Sequence, residues 1–424
     1  MQPRITPVLP PTPDPAESFS VMTFNVLLPN GDDGWWIEKM YQHRVQAEHR
    51  SWPRRQRLLA KLILGVRPDL LCLQETSPGS FEDDFRFLTE AGYGALIHRR
   101  SRLSPATFWR RDRFEIEASF HHDRLLFTTL SPAGSQRRLH LLNVHLTAGA
   151  SPGRRLRQIH EGLERVRKQL SPGEQPAVLV CGDFNGHGPT GVRQLLSRGT
   201  VPTDFEEPWW PGVQLSSRVR SHALGPFTDA YVAAYHPDPP PPTLIAPRLH
   251  TWMEGPDGGL SPVLLDALTE LYQRFGPEPW DRATTERWLT TINGRPDRGS
   301  ERVEIDKIFD VSGEESLSLE QLISIYARVL RAGRPWAIDE DLHRCGVEHP
   351  PADQPPCEVR LDAIWHSAAL SATAVRPPWS DEERRRVRED GISPPHEHHP
   401  SDHLPLAAVI HWGSQAPEQA LHAP

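Results

Sequence analysis

Along this chain, short apolar runs of strand length alternate with stretches whose apolar residues recur every three or four positions. Ser20–Val26 has strand character. Arg54–Val66 has an amphipathic helical period and starts after Pro53, a residue suited to a first helical turn. Asp69–Leu73 is nearly all apolar, as a short strand covered on both faces should be. Thr107–Trp109 and Phe114–Ala118 predict a hairpin pair. Arg138–Val144 and Ala177–Cys181 predict further strands, with a helix over Arg154–Leu170 between them. Val359–His366 and Leu404–Ile410 complete the series. This mixed alternation predicts an α/β sandwich, with sheets packed face to face and helices outside.

One segment has a different texture. After the proline-rich break Pro237–Pro242 and the glycine-rich stretch Gly255–Gly259, the period becomes helical over Leu264–Phe275, Thr284–Ile292, Val303–Phe309 and Leu319–Leu330. Strand signals return only near Val359. The pattern therefore predicts a helical insertion at about 255–350 within a catalytic domain made of 19–254 and 351–412, followed by a tail at 413–424.

Composition adds to this picture. With 37% hydrophobic residues, the 424-residue chain can build a sizeable core, while its 44 prolines imply long loops. Residues 1–18 carry six prolines and no apolar stretch, which predicts a disordered leader rather than a secretory signal. No run approaches the ~20 apolar residues of a membrane span. Cys72 and Cys181 lie inside apolar strand-like runs, which predicts a reducing compartment and an intracellular, cytoplasmic location. Cys345 and Cys357 match no zinc spacing, although they remain free to pair.

The net charge of −8 does not advertise a nucleic-acid binder, but its distribution is uneven. Residues 255–350 hold 18 acidic and 11 basic side chains, and the remainder of the chain is nearly neutral. That remainder contains four arginine clusters, beginning at Arg54, Arg99, Arg110 and Arg154. Guanidinium groups grip phosphates bidentately, so such patches can hold a polyanion; they also make ordinary solvated faces.

Six polar motifs end strand-like runs: Asn25, Glu75, Asn143-x-His145, Asp183-x-Asn185, Asp362 and Asp402-His403. Residues at the mouths of neighbouring strands converge, however distant they are in sequence. Carboxylates, amides and imidazoles there are what a magnesium-dependent phosphoester hydrolase needs. Magnesium prefers oxygen ligands and keeps several waters, which makes Glu75 and Asn25 candidates to hold it. The glycine-bounded turn Gly182-Asp183-Phe184-Asn185-Gly186 presents Asp183 and Asn185 together, an acid to orient or deprotonate water and an amide to hold it. Asx residues also make turns for structural reasons alone. In Ser401-Asp402-His403 a carboxylate adjoins an imidazole and favours its charged form. Neighbours on a strand face opposite ways, so the useful partner of His403 is expected on another strand. Asn143 and His145 share one strand face. His396, His398 and His399 read as a histidine-rich loop. Trp35, Trp36 and Trp109 have the chemistry to stack on bases, though tryptophan more often packs in a core.

Jointly, Thr23-Phe24-Asn25-Val26, Leu73-Gln74-Glu75, Asn143-Val144-His145, Gly182-Asp183-Phe184-Asn185, Leu361-Asp362 and Ser401-Asp402-His403 resemble the endonuclease/exonuclease/phosphatase superfamily over roughly 19–236 and 358–412. The resemblance implies a four-layered α/β sandwich with its active site at the strand mouths. It implies that Glu75, with Asn25, holds Mg²⁺ (Mn²⁺ as substitute) and that Asp183 activates water positioned by Asn185. It further implies that His403, supported by Asp362, binds the scissile phosphate together with His145, while Asp402 sits near the metal. Trp52-Pro53-Arg54-Arg55-Gln56-Arg57, Ala106-Thr107-Phe108-Trp109 and Arg157-Gln158 look like the nocturnin/deadenylase branch.

The insertion resembles an EF-hand pair. Asp310, Ser312 and Glu314 take the first, third and fifth loop positions, and Leu317 the apolar eighth. Glu315 replaces the turn glycine and Gln321 the last bidentate glutamate, which makes Ca²⁺ binding an unfavoured expectation. The leading function is thus a Mg²⁺-dependent nuclease resembling a 3′-exoribonuclease, with RNA the favoured partner. A phosphatase or phosphodiesterase of a small or lipid phosphoester (an inositol phosphate, a sphingomyelin-type lipid, a dinucleotide) keeps the chemistry and changes the substrate. A non-catalytic calcium-responsive scaffold, or a protein partner docked on 255–350, are the remaining alternatives.

Overall fold

The computed structural model describes residues 2–27, 45–99, 103–170, 175–210, 212–213, 215, 221–248, 250–353, 356–390 and 395–413. Strands β1 (Arg4–Ile5), β2 (Ser18–Asn25), β3 (Leu70–Thr76), β4 (Tyr93–Ile97) and β5 (Ser104–Arg110) belong to one sheet. Strands β6 (Phe114–His122), β7 (Leu125–Pro132), β8 (Leu139–His145), β9 (Ala177–Asp183) and β10 (Thr228–Asp229) belong to a second. Then β11 (Leu244–Arg248) pairs with β14 (Pro356–Val359), and β12 (Trp280–Asp281) with β13 (Ser316–Leu317). Strand β15 (Asp362–His366) joins the second sheet, and β16 (Leu370–Arg376) and β17 (Leu406–Trp412) return to the first. The strand order is β1-β16-β17-β2-β3-β5-β4 in the first sheet and β10-β15-β9-β8-β7-β6 in the second.

Alternation along each strand divides the apolar residues between three cores, and this makes the layers. Phe19, Val21, Leu70 and Cys72 of the first sheet meet Leu139, Leu141, Leu179, Cys181 and Ile364 of the second in a central core. Their neighbours Met22, Phe24, Leu71 and Leu73 face outward onto the helix Trp52–Val66. On the far side Leu142, Val144, Val178, Val180 and Trp365 pack against the helices Pro152–Arg167 and Gly191–Arg198. Helix, sheet, sheet, helix is the expected four-layered sandwich.

Several local expectations differ from the structure. The strands read as a hairpin at 107–109 and 114–118 lie in different sheets. The turn at Arg110–Arg113 crosses between layers, anchored by Arg113 Nε on Asp69 at 2.6 Å, and the partner of β6 is β7. Residues 2–17, read as a disordered leader, run along the first sheet. Arg4–Ile5 pair with Ala374–Val375, Thr12 donates to Asp69 at 2.9 Å, and Trp412 Nε1 donates to the Pro15 carbonyl at 2.9 Å. Trp35, Trp36 and residues 414–424 fall outside the described residues.

Between β11 and β14 the chain forms the helices Pro262–Phe275, Arg282–Asn293, Ser300–Asp306, Leu319–Arg331 and Pro335–Arg344, which share a hydrophobic core of their own. Trp280 and Tyr272 stack there at 4.4 Å, and β12–β13 ties the two helix–loop–helix units through Trp280 opposite Leu317. The candidate calcium positions already have partners: Asp310 is ion-paired with Arg282, and Glu314 accepts from Gln321 at 2.6 Å. Gln321 at once closes a capping box with Ser318, which holds it at the helix start. Calcium titrated into the full chain is therefore expected to give no saturable isotherm in the micromolar range by calorimetry; a site of that strength would overturn this reading.

Candidate functional site

At the open end of the central core the apolar layers give way to polar ones. Thr23, Gln74 and Asn143 come first: Gln74 Nε2 donates to Thr23 at 3.1 Å and to Asn143 Oδ1 at 2.8 Å. Asn143 Nδ2 donates to the Leu73 and Ala106 carbonyls at 3.2 and 2.9 Å, so this layer stitches one sheet to the other. One step further toward solvent lie Asn25, Glu75, His145, Asp183, Asp362 and His403. The register places them there, since β8 sets His145 beside Asp183, and β15 sets Asp362 opposite Asp183.

Backbone strain aims three of these strand ends. Leu27, Glu75 and Asn185 have φ of 53°, 59° and 47°, the left-handed region that non-glycine residues rarely enter. In regular alternation Glu75 would share the outer face of Leu71 and Leu73. The left-handed residue coincides with a register shift between Leu73 and Thr76 and turns the carboxylate back to the inner end. Gly182, at φ 142°, is required for a different reason. A Cβ there would lie 2.0 Å from the Val144 carbonyl oxygen, so Gly182→Ala is expected to push β9 off β8. We expect a loss of stability of several kcal/mol in chemical denaturation; a wild-type midpoint would contradict the geometry.

Asp183 is the hub. Its Oδ1 accepts from the Asn185 backbone N–H at 2.8 Å, and its Oδ2 accepts from Asn25 Nδ2 at 3.1 Å and Asn185 Nδ2 at 3.2 Å. His145 Nε2 and His403 Nε2 each stand 3.8 Å from Oδ2. Nδ1 of His403 is held by Asp362 Oδ2 at 2.8 Å, as expected of a partner from another strand. Burial opposes charge on His403, but Asp362, Asp183 and Asp402 outweigh it and hold the imidazolium well above the ordinary histidine range. Asp402 and His403 both serve this end. They lie in the turn before β17, not on the strand, so the opposite-face constraint does not apply.

Two residues depart from the expected roles. Asn25 turns its amide nitrogen, not its oxygen, toward the carboxylates, donating to Glu75 Oε1 and Asp183 Oδ2 at 3.1 Å each. Its oxygen accepts from the Leu27 N–H at 3.1 Å, and that donor fixes the amide's orientation. Asn25 thus bridges two carboxylates instead of offering an oxygen to a metal. In His145, Nδ1 faces the Leu103 carbonyl at 3.2 Å and must carry the proton. Burial lowers its pKa, so the ring is neutral and Nε2 presents a lone pair rather than the phosphate-binding proton expected of it.

This distribution fits a divalent cation. Glu75 Oε1 lies 3.8 Å from the His145 lone pair, and Glu75 Oε2 is buried without a hydrogen-bond partner. Burial, and then the Asp402 charge, push the Glu75 carboxyl up to about 7. Acceptors thus outnumber donors, which is the arrangement a cation relieves. Among the described residues no three His, Cys, Asp or Glu side chains form a ready-made cage. An ion here would rest mainly on Glu75, water and phosphate, as suits magnesium.

The linkage has a testable sign. A carboxyl raised from 4.5 to about 7 costs stability as pH rises across that interval, by about 3 kcal/mol in full. In chelator above pH 7, Glu75→Gln is therefore expected to melt higher than the wild type and to lose metal-dependent turnover. Equal melting in chelator would remove the electrostatic account of this site.

Sequence reasoning missed several supporting groups. The arginine clusters, left open between polyanion grips and solvated faces, also contribute buried ties through some of their members. Arg55 donates to the carbonyls of Val26, Leu27 and Pro400, and Arg155 joins the Thr147 and Gly149 carbonyls to Glu207 at 3.2, 2.6 and 2.9 Å. Arg110 and Arg113 are taken up by Asp69 and Asp112. Thr243 Oγ1 accepts from the Leu361 and Asp362 N–H groups at 2.9 and 3.0 Å, and the Thr243 carbonyl accepts from Leu404 at 2.6 Å. It therefore binds both strand ends that supply the Asp362–His403 pair. No motif marks Thr243 in the sequence.

A four-layered sandwich whose inter-sheet core opens onto a metal-compatible carboxylate, a carboxylate held by two amides, and an aspartate-bound histidine is the architecture of a phosphoester hydrolase. The chain belongs to the Endonuclease/Exonuclease/phosphatase family, whose sequence profile matches residues 22–403. It is 27% identical over 236 residues to carbon catabolite repressor protein 4 homolog 2 of Arabidopsis thaliana, across 44% of this chain and 38% of that protein. It is also 27% identical over 192 residues to the 2′,5′-phosphodiesterase 12 of Homo sapiens, across 36% of this chain and 31% of that one. The chain thus spans 31 to 38% of the length of these relatives. A solved structure of ANGEL2, a 2′,3′-cyclic phosphatase, shares the fold with a TM-score of 0.56 at 16% identity, covering 93% of this chain and 95% of that one. Among the described residues no helix is long and apolar enough to cross a membrane.

Proposed function

We propose that this protein is a Mg²⁺-dependent phosphodiesterase acting on RNA, in the manner of a 3′-exoribonuclease. The observation that carries the reading is the convergence of Glu75, Asp183 with Asn185, and the Asp362–His403 pair at one end of the inter-sheet core. When bound, the divalent ion supplies charge neutralisation for the phosphate. The chain's own groups do the rest. Asp183, with its two oxygens pinned by Asn185 and Asn25, accepts the proton of the attacking water. Asn185, whose Nδ2 also donates to the Leu146 carbonyl at 2.9 Å, keeps that carboxylate from rotating. His403, its Nδ1 fixed by Asp362, points Nε2–H at the space beside Asp183, where a phosphate oxygen gaining charge needs a donor. Burial of Asp183, Asp362 and His403 keeps bulk water from screening these charges.

RNA is supported by the relatives' names, which describe cleavage of 2′,5′-phosphodiester bonds and, for the Candida albicans Ccr4 protein, a 3′-5′-exoribonuclease subunit. The deciding experiment offers purified protein a panel of end-labelled RNA, single-stranded DNA and duplex with Mg²⁺, with and without chelator. A parallel assay follows phosphate release from small phosphoesters. A chelator-sensitive ladder on RNA is expected. Silence on polymers together with phosphate release from a small ester would move the substrate to that class instead.

A further inference from the structure

More than half of Trp209 is exposed (56%), and among the described residues it is the one tryptophan left so open. A single exposed apolar side chain is ordinary on a protein surface, so its location carries the argument. Trp209 packs edge-to-face on His187 with ring centroids 4.9 Å apart, and His187 is the second residue after Asn185 in the loop that leaves β9 beside Asp183. A Cβ on Gly188 would lie 3.5 Å from Trp209 Nε1, so loop and ring are in contact.

The ring is also held in place. Two residues earlier, the buried Glu207 accepts from the Gly191 N–H at 3.0 Å and from Arg155 Nη2 at 2.9 Å. Arg155 in turn grips the Thr147 and Gly149 carbonyls in the loop that leaves β8 just after His145. The segment that carries Trp209 is thereby tied to the loops following both catalytic strand ends, at the same end of the sheet as the site. Burial, and then the nearby Arg193, keep His187 neutral, so the pair is an aromatic surface with no charge of its own. Mechanism and core packing leave Trp209 without a task.

Resting on the phosphodiesterase reading above, we infer that Trp209, backed by His187, is a stacking platform for the nucleobase of a nucleotide flanking the scissile phosphate. A flat, uncharged ring beside a phosphate-binding site suits a base of any identity, because every base has a π-face. The protein would then favour base-bearing substrates without reading their sequence at this position.

The test compares wild type, Trp209→Ala and Trp209→Phe on an oligoribonucleotide and on the same strand with one abasic ribose next to the cleaved bond. The ratio of kcat/KM for the base-bearing over the abasic strand is expected to fall about tenfold in Trp209→Ala, the scale of one base–aromatic stack, through KM and not kcat. Trp209→Phe should retain most of the preference. Loss of equal size on both strands, or no loss on either, overturns the platform. Binding of AMP and of ribose 5-phosphate to the full chain in chelator supplies a readout that needs no turnover. AMP binding tighter than ribose 5-phosphate, with the difference abolished in Trp209→Ala, upholds the platform even if no phosphodiester is cleaved, in which case only the catalytic reading falls. Equal binding of the two ligands by wild type overturns the platform while leaving catalysis standing.

Discussion

Asp183→Asn is expected to lower kcat roughly 10²- to 10⁴-fold, the range for loss of a positioned general base, with little change in KM. The geometry makes this substitution sharp. Oδ1 of Asp183 accepts from the Asn185 N–H at 2.8 Å, so the amide oxygen of an asparagine will keep that place. The new NH₂ then falls where Oδ2 stands, facing the Nδ2 donors of Asn25 and Asn185 at 3.1 and 3.2 Å. Two accepted hydrogen bonds become donor–donor contacts, and the proton acceptor for water is gone. Because side-chain volume is conserved, the variant should still fold, and circular dichroism checks that. Steady-state kinetics on whichever substrate the panel identifies gives the decisive number. A decrease below tenfold would show that some other group takes the proton.

Much of this site was legible because its groups lie at or next to strand ends. Alternation put Asn143 and His145 on one face, and the structure keeps that face. What escaped were relations between strands. Asn25 was read as an oxygen donor because an amide can be one. Only the Leu27 N–H, brought round by a left-handed backbone, shows that its nitrogen faces the carboxylates. The same limit hid Thr243, whose partners lie more than a hundred residues away in sequence. The arginine clusters show a related limit. Spacing marks a basic patch, yet Arg55 and Arg155 are buried and spend their donors on backbone carbonyls. The six-proline leader looked disordered by composition, and it is the sheet edge at β16 and the Asp69 carboxylate that give it a place. Local pattern therefore carried the elements, while long-range hydrogen bonds decided which way their ends point.

His403 and Asp362 should act as one unit, and a pair of variants separates that from two independent roles. His403→Gln replaces the charged donor aimed at the phosphate with a neutral amide and is expected to cost roughly 10²- to 10³-fold in kcat. Asp362→Asn leaves His403 present but without the carboxylate at 2.8 Å from its Nδ1. Burial, which opposes the charge, then has less against it, and the ring's pKa should drop from well above the histidine range toward or below the ordinary value. The double variant should be no more than about threefold worse than His403→Gln alone, since the acid works only through the imidazole. The pH dependence has a definite sign. A histidine raised by folding contributes stability that is whole below its unfolded pKa of about 6.5 and is lost as pH rises through the elevated folded value. Wild-type activity is therefore expected to persist into alkaline buffer, and Asp362→Asn should bring the alkaline loss to lower pH. Titration of the His403 ring protons by NMR in metal-free protein isolates the effect from any metal chemistry. An Asp362→Asn ring that titrates where the wild type does would detach Asp362 from His403 and leave it a packing residue at the end of its strand.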